Sequence, residues 1–181
     1  MQTDRLLKAL SFAARKHSRQ RRKDREASPY VNHLIAVAYV LAADGGATSE
    51  DLLLAAVLHD TVEDTQTSLS ELRAEFGDSV AGLVAEVTDD RSLPKDERKR
   101  RQIIHAPTLS VDARQLKIAD KICNVRDMTD RPPVFWTRRR RREYLAWSAQ
   151  VVAGCRGVNP RLDQVFDTVL ARGRQVLGVA D

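Results

Sequence analysis

The sequence predicts an all-α fold made of many modest helices, and three observations lead there. Apolar residues recur at three- and four-residue spacing along most of the chain. No segment sustains the two-residue alternation of a half-buried strand. Ala, Leu, Val and Arg dominate while aromatics make up only 5%, a mixture that favours helices over sheets. With 181 residues, 43% hydrophobic and 30% charged, the chain is long enough to bury a core and too apolar to stay disordered. It carries no internal repeat, low-complexity tract or Pro/Gly/Ser linker, so residues 1–181 read as one domain.

Each element follows from local signals. Leu6, Leu7, Leu10, Ala13 and Ala14 share a helical stripe, which predicts a helix over 3–17. Residues 18–29 are polar and end at Ser28-Pro29, a loop or one short β-hairpin near 20–30. VNHLIAVAYVLAA (31–43) predicts a second helix, stopped by Asp44-Gly45-Gly46. Thr48 or Ser49 can cap a third that runs through DLLLAAVLHD. Thr67-Ser68 precedes a fourth, ending at Phe76-Gly77, and 78–88 make a fifth. After the loop Asp89–Pro94, helices are expected at 95–106, 111–129, 134–153 and 160–177, with Pro107, Pro132-Pro133 and Pro160 marking the breaks.

The bulk numbers exclude several classes. Two cysteines, Cys123 and Cys155, without CxxC spacing suggest neither a disulfide framework nor a zinc knuckle. They read as buried small apolar groups in a reducing, cytoplasmic setting. No apolar run approaches the length of a membrane span, and the N-terminal segment lacks the apolar core of a signal peptide. The net charge is +5, with the basic residues gathered in RQRRKDR (19–25), RKRR (98–101) and RRRRR (138–142). Such clusters attract polyanions, either nucleic acid or a small nucleotide's phosphates, although any one can be a solvated helix face. A nucleic-acid-binding module would need interleaved stacking aromatics, and these are missing. His17 and His105 read as surface or helix-end groups, and Trp136 and Trp147 as core or helix-packing aromatics.

The richest stretch is Leu58-His59-Asp60-Thr61-Val62-Glu63-Asp64, which closes an apolar helix with a burst of polar groups. An imidazole beside a carboxylate can give two ligands to one Mn²⁺, Fe²⁺ or Zn²⁺. If the helix continues, Glu63 and Asp64 lie one turn beyond, placed to orient water or move a proton. A bare His-Asp pair is weak evidence. His33 in an otherwise apolar helix also fits a core or cap residue. Asp120, in the apolar helix QLKIADKICNVRDM, needs a cation, either a metal or Lys117 or Lys121. Asn124 shares its face one turn on. Together His33, His59, Asp60 and Asp120 form an H…HD…D set that can hold an ion and leave positions open for water and a phosphate oxygen.

That pattern resembles the HD-domain phosphohydrolases. FAARKHSRQRRKD, PYVNHLIAVA, AAVLHDTVEDTQTSLSELRAEFG, LVAEVTDDRSLPKDERKRRQI, LKIADKICNVRDM and EYLAWSAQVV further resemble the small single-domain alarmone hydrolases of the RelA/SpoT-homologue type, metazoan SpoT homologues included. The resemblance runs from about Phe12 to Val152 and fades beyond. It implies a helical HD-domain that binds one Mn²⁺ per chain and removes the 3′-pyrophosphate of guanosine tetra- or pentaphosphate. By position it implies His33, His59, Asp60 and Asp120 as metal ligands and Glu63 and Asp64 as the catalytic acidic pair. It implies Arg15, Lys16, Tyr30, Lys95, Asn124, Arg140 and Tyr144 as substrate contacts, Arg140 being one of several registers in the arginine run. An adenosine alarmone or NADPH is left open as substrate, as is a homo-oligomer. The alternative of another class is a basic nucleic-acid binder with a vestigial HD site.

Overall fold

A computed structural model describes residues 2–179. Ten α-helices run in the order α1 (Thr3–Lys16), α2 (Val31–Tyr39), α3 (Glu50–Leu58), α4 (Thr61–Asp64), α5 (Leu69–Phe76), α6 (Asp78–Val87), α7 (Lys95–His105), α8 (Val111–Asp130), α9 (Arg138–Cys155) and α10 (Pro160–Leu177). A π-helical turn, Val40–Asp44, extends α2, and a 3₁₀ turn, Ala106–Thr108, follows α7. The expected all-α fold is what the chain adopts.

Two helices organise the rest. Every residue of α3 from Leu52 to Leu58 is buried, so it is a core helix wrapped by α1, α2, α6 and α8. The longer α8 lies against α2, α3, α6, α9 and α10. Its buried residues include Ile118, Ala119, Ile122 and Val125 together with Lys117, Asp120 and Lys121. Burying three charged groups in one helix marks the place where the fold does more than pack.

Helix starts follow the sequence. Ser49, Ser68, Ser110, Thr137 and Asn159 each accept a hydrogen bond from a backbone N–H of the first turn they precede. Gly178 ends α10 in the left-handed conformation at φ 61°, where a Cβ would be strained. The arginine run is largely consumed in such endings. Arg138 Nε donates to Leu177 O at 2.9 Å and Arg142 Nε to the same oxygen at 2.8 Å. Arg141 Nε donates to Met128 O at 2.9 Å. These guanidiniums satisfy orphan carbonyls at the ends of α10 and α8 and offset their negative dipole ends.

Three expectations change. The hairpin near 20–30 shrinks to a single bridge between Arg21 and Pro29, because Pro29 has no N–H with which to extend a ladder. The third helix stops at Leu58, and a separate turn, α4, begins at Thr61. The helix expected from residue 134 begins at Arg138, since Thr137 provides the cap and Pro132-Pro133 hold the preceding segment extended.

Candidate metal centre and its clefts

The break between α3 and α4 builds the centre. Leu58 O, freed by the break, is taken by the Thr61 hydroxyl at 2.6 Å, and Asp64 N closes the new turn on Asp60 O at 2.8 Å. His59 and Asp60 therefore leave the helix together at its inner end. His33 reaches them from α2 and Asp120 from α8. His33, His59 and Asp60 bring one ligand atom each to within 4.8 Å of one another. His59 Nε2 stands 3.2 Å from Asp60 Oδ2 and 3.8 Å from Asp120 Oδ1. His33 Nε2 stands 3.7 Å from Asp60 Oδ2 and 3.2 Å from Asp120 Oδ1.

The hydrogen bonding shows what this cluster needs. His59 Nδ1 faces Ala56 O at 2.8 Å, which accepts a proton and so places the proton of neutral imidazole on Nδ1. The buried Nε2, which has no hydrogen-bond partner, then aims its lone pair at two carboxylates. Such an arrangement is repulsive until a proton or a metal cation sits in it. Burial works against a charged His59, yet Asp60 and Asp120 prevail and hold it up to about 10 in the metal-free protein. Burial likewise opposes charge on Asp60, which His59 and His33 still hold below the usual carboxylate range. The donor set, imidazole nitrogen plus carboxylate oxygen, fits a divalent transition ion, and the cluster forms a divalent metal site.

Neighbours fix the ligands from outside. Tyr30 donates its hydroxyl to Asp60 Oδ2 at 2.7 Å. Asn124 Nδ2 donates to Asp120 Oδ1 at 2.6 Å and Lys121 Nζ to Asp120 Oδ2 at 2.9 Å. Lys121 also lies over the Trp147 ring, 4.6 Å from its centre. Orientation of this kind sets ligand basicity and geometry.

The ligands line a pocket of about 140 Å³ that also includes Glu63, Gln102, Lys117 and Asn124. Glu63 accepts from Asp89 N at 3.1 Å. Burial, with Asp89 and Asp60 adding repulsion, pushes its carboxyl up to about 7. A wider cleft of about 320 Å³ adjoins this pocket across the shared Tyr30 and Asn124. Gln20, Arg22, Asp64, Arg131, Trp136 and Tyr144 are among its walls. Asp64 thus faces the wide cleft while Glu63 faces the metal pocket. Asp64 accepts from Gln20 Nε2 at 2.8 Å and pairs with Arg91 at 3.0 Å.

The remaining expected contacts divide. Tyr30, Asn124 and Tyr144 line the clefts. Arg140 sits over the Trp136 ring at 4.2 Å and Lys95 at 6.0 Å, at the cleft rim. Arg15 and Lys16 lie elsewhere: Arg15 bonds Ser11 at 3.1 Å and Lys16 pairs with Glu71 at 2.8 Å. Trp136 packs against the core, as read from sequence, and also lines the wide cleft. His17 ends α1 as expected, but it is only 2% exposed, so the surface reading is corrected. Its ring stacks on Tyr30 and its Nδ1 lies 2.5 Å from Gln20 Oε1, which ties it to Asp64 through Gln20. His105 is exposed at the end of α7 and both cysteines are buried, as expected.

The sequence reading does not single out Gln20 or Arg22 as site residues, whereas Lys121 takes the ion pair with Asp120 that the sequence leaves open. Arg22 donates to Asp127, to Asn124 Oδ1 at 3.3 Å, and lies over Tyr30. The one signal for Arg22 and Gln20 is the basic cluster 19–25 in which both lie.

Comparison with known proteins adds independent findings. The HD domain family model matches residues 9–153. The guanosine-3′,5′-bis(diphosphate) 3′-pyrophosphohydrolase MESH1 of Homo sapiens is 51% identical over 161 residues, covering 89% of this chain and 90% of that protein. The Drosophila melanogaster protein of the same name is 46% identical over 163 residues, covering 90% and 91%. A solved structure described as a metazoan ortholog of SpoT that hydrolyses ppGpp superposes with a TM-score of 0.91 at 43% identity, covering 97% of each chain.

Proposed function

The chain belongs to the HD domain family, and we propose that within it the protein is a metal-dependent hydrolase of the 3′-pyrophosphate of guanosine tetra- and pentaphosphate, giving GDP or GTP and pyrophosphate. Relatives that carry this activity in their names align along nine-tenths of its length. The observation that carries the chemistry is the convergence of two imidazoles and two carboxylates, with His59 Nε2 3.2 Å from Asp60 Oδ2 and 3.8 Å from Asp120 Oδ1, a site that a proton holds together in the metal-free protein and that a divalent ion can fill. We read the ion as one Mn²⁺, held by His33, His59, Asp60 and Asp120, and residues 1–181 as one catalytic unit. No described helix is long and apolar enough to cross a membrane, and a cytoplasmic location is part of the proposal.

A divalent ion in this site supplies a low-pKa water and polarises a phosphoryl oxygen. The chain's own groups do the rest. Glu63, neutral or charged near pH 7, orients the attacking water and exchanges its proton. Asp64, fixed by Gln20 and Arg91, holds the ribose end at the mouth of the wide cleft. Tyr30, Trp136 and Tyr144 give the nucleoside aromatic faces, and Lys95 and Arg140 bring positive charge to the rim. Arg15 and Lys16 would join them by leaving Ser11 and Glu71 when substrate binds.

The test is a substrate panel. Mn²⁺-loaded protein should release pyrophosphate from guanosine tetraphosphate faster than from its adenosine counterpart, and faster than it releases phosphate from NADPH. Asp60→Ala should lose both bound metal and turnover. Undiminished turnover in metal-stripped Asp60→Ala protein would end the mechanism, and a faster adenosine or NADPH reaction would reassign the substrate.

A further inference from the structure

We propose that Lys117 is a phosphate-binding residue, its ammonium taking the distal phosphate of the 3′-diphosphate at the inner end of the metal pocket. The assignment of that phosphate rests on the substrate reading above. The case for an anion at Lys117 starts from burial. Lys117 is 8% exposed and donates one hydrogen bond, to Val87 O at 3.1 Å. Lys121, one turn on, is neutralised by Asp120. Lys117 has no carboxylate within ion-pair distance among the described residues. An ammonium has three donors, so two remain unspent in a place where an unpaired charge destabilises the fold. Burial pulls Lys117 toward its neutral amine, and Asp120, Asp89 and Glu63 oppose this only from beyond ion-pair distance, while the residue lines the pocket that holds the proposed metal ligands.

Its position says which anion. The metal pocket meets the wide aromatic cleft across Tyr30 and Asn124. On its other side it meets a third cleft of about 170 Å³ across Val87, Gln102 and Lys117. Lys117 therefore borders a different cleft from the one that carries the aromatic faces. A nucleotide with its base on the aromatic side presents its proximal 3′ phosphorus at the ligands and its distal phosphate beyond them, toward Lys117. In the reaction, water oxygen bonds to the proximal phosphorus, the bond from that phosphorus to the ribose 3′ oxygen breaks, and the 3′ oxygen takes a proton. The diphosphate leaves as pyrophosphate, still held by Lys117. The same ammonium gives a reason for preferring a diphosphate over a monophosphate, which has no distal phosphate to offer it.

Lys117→Met in the Mn²⁺-loaded chain tests this, since methionine fills the same volume without charge. Four quantities are measured: binding of inorganic pyrophosphate and of orthophosphate by calorimetry, metal content, melting temperature, and kcat/KM for guanosine tetraphosphate. The loss of one charge-assisted contact should weaken pyrophosphate binding about thirtyfold and lower kcat/KM about a hundredfold. Orthophosphate binding, which can also use the ion alone, should weaken less than pyrophosphate binding, metal content should hold, and the melting temperature should stay level or rise. Unchanged pyrophosphate binding would overturn the proposal. So would a variant that melts far below wild type or does not fold, because the ammonium would then be structural. A wild-type protein that binds pyrophosphate through Lys117 yet releases none from the tetraphosphate supports the residue's role and overturns only the substrate assignment.

Discussion

The metal pocket and the wide cleft sit side by side and are held by opposite means. Each proposed metal ligand rises from a helix or helix end that the core fixes: His33 from α2, His59 and Asp60 from the end of α3, Asp120 from α8. The wide cleft is framed by two irregular segments, 20–24 and 131–136. They are joined by Val134 N donating to Lys23 O at 3.0 Å, and the Arg22–Asp127 ion pair ties the first of them to α8. One site is organised by apolar packing, which water does not weaken. The other is organised by polar contacts near solvent, which are individually worth little. On the proposed function, chemistry that tolerates no misplacement falls to the first, and recognition that must admit and release a nucleotide falls to the second.

The sharpest way to break this contrast is to compare Asp60→Ala with Trp136→Ala. The first should abolish turnover together with metal content. The second should raise KM about tenfold, the worth of one stacked base, with kcat within about threefold of wild type. A kcat loss in Trp136→Ala as deep as in Asp60→Ala would erase the distinction between the two regions. The next effect is on stability. Glu63 has a folded-state value near 7 against an ordinary 4.5, so the fold favours its neutral form. Its contribution to stability is fully present below about pH 4.5 and is lost as pH rises through 7. In metal-free protein at pH 8, Glu63→Gln should therefore melt higher, by on the order of 1–3 kcal/mol or about 3–8 °C. The gap should close toward pH 4.5, and a pH-independent gap would assign the effect to packing instead. The smallest effect belongs to the helix ends. Arg142→Ala should lower stability by about 1 kcal/mol while kcat/KM stays within about twofold. A marked loss of activity there would place the arginine in the cleft.

The two regions were also unequally readable. His33 and Asp120 stand out in sequence because each interrupts an apolar helix, and His59-Asp60 because the pair closes one. Helical register does the rest, and the α3–α4 break only changes the angle at which Glu63 and Asp64 leave. Trp136 gave no such signal: its segment lacks a period, and only tertiary structure turns its ring into a cleft wall. Arg22 and Asp127 are far apart in sequence, so nothing local links them. The arginine run shows the limit most directly. Its letters are identical, yet the fold sends Arg138, Arg141 and Arg142 to helix carbonyls and sets Arg140 on Trp136. His17 reads as a helix end from its flanking residues, but its burial depends on Tyr30 folding back over it.

The unbroken burial of Leu52 to Leu58 has a consequence for how the centre ages. Backbone amides in that stretch should exchange with deuterium only when the whole molecule opens, and His59 and Asp60 are attached to its end. Partial openings that loosen the 131–136 segment would let nucleotide go while leaving the ion's anchorage intact. Metal retention should then follow the global unfolding clock, and ligand exchange a much faster local one.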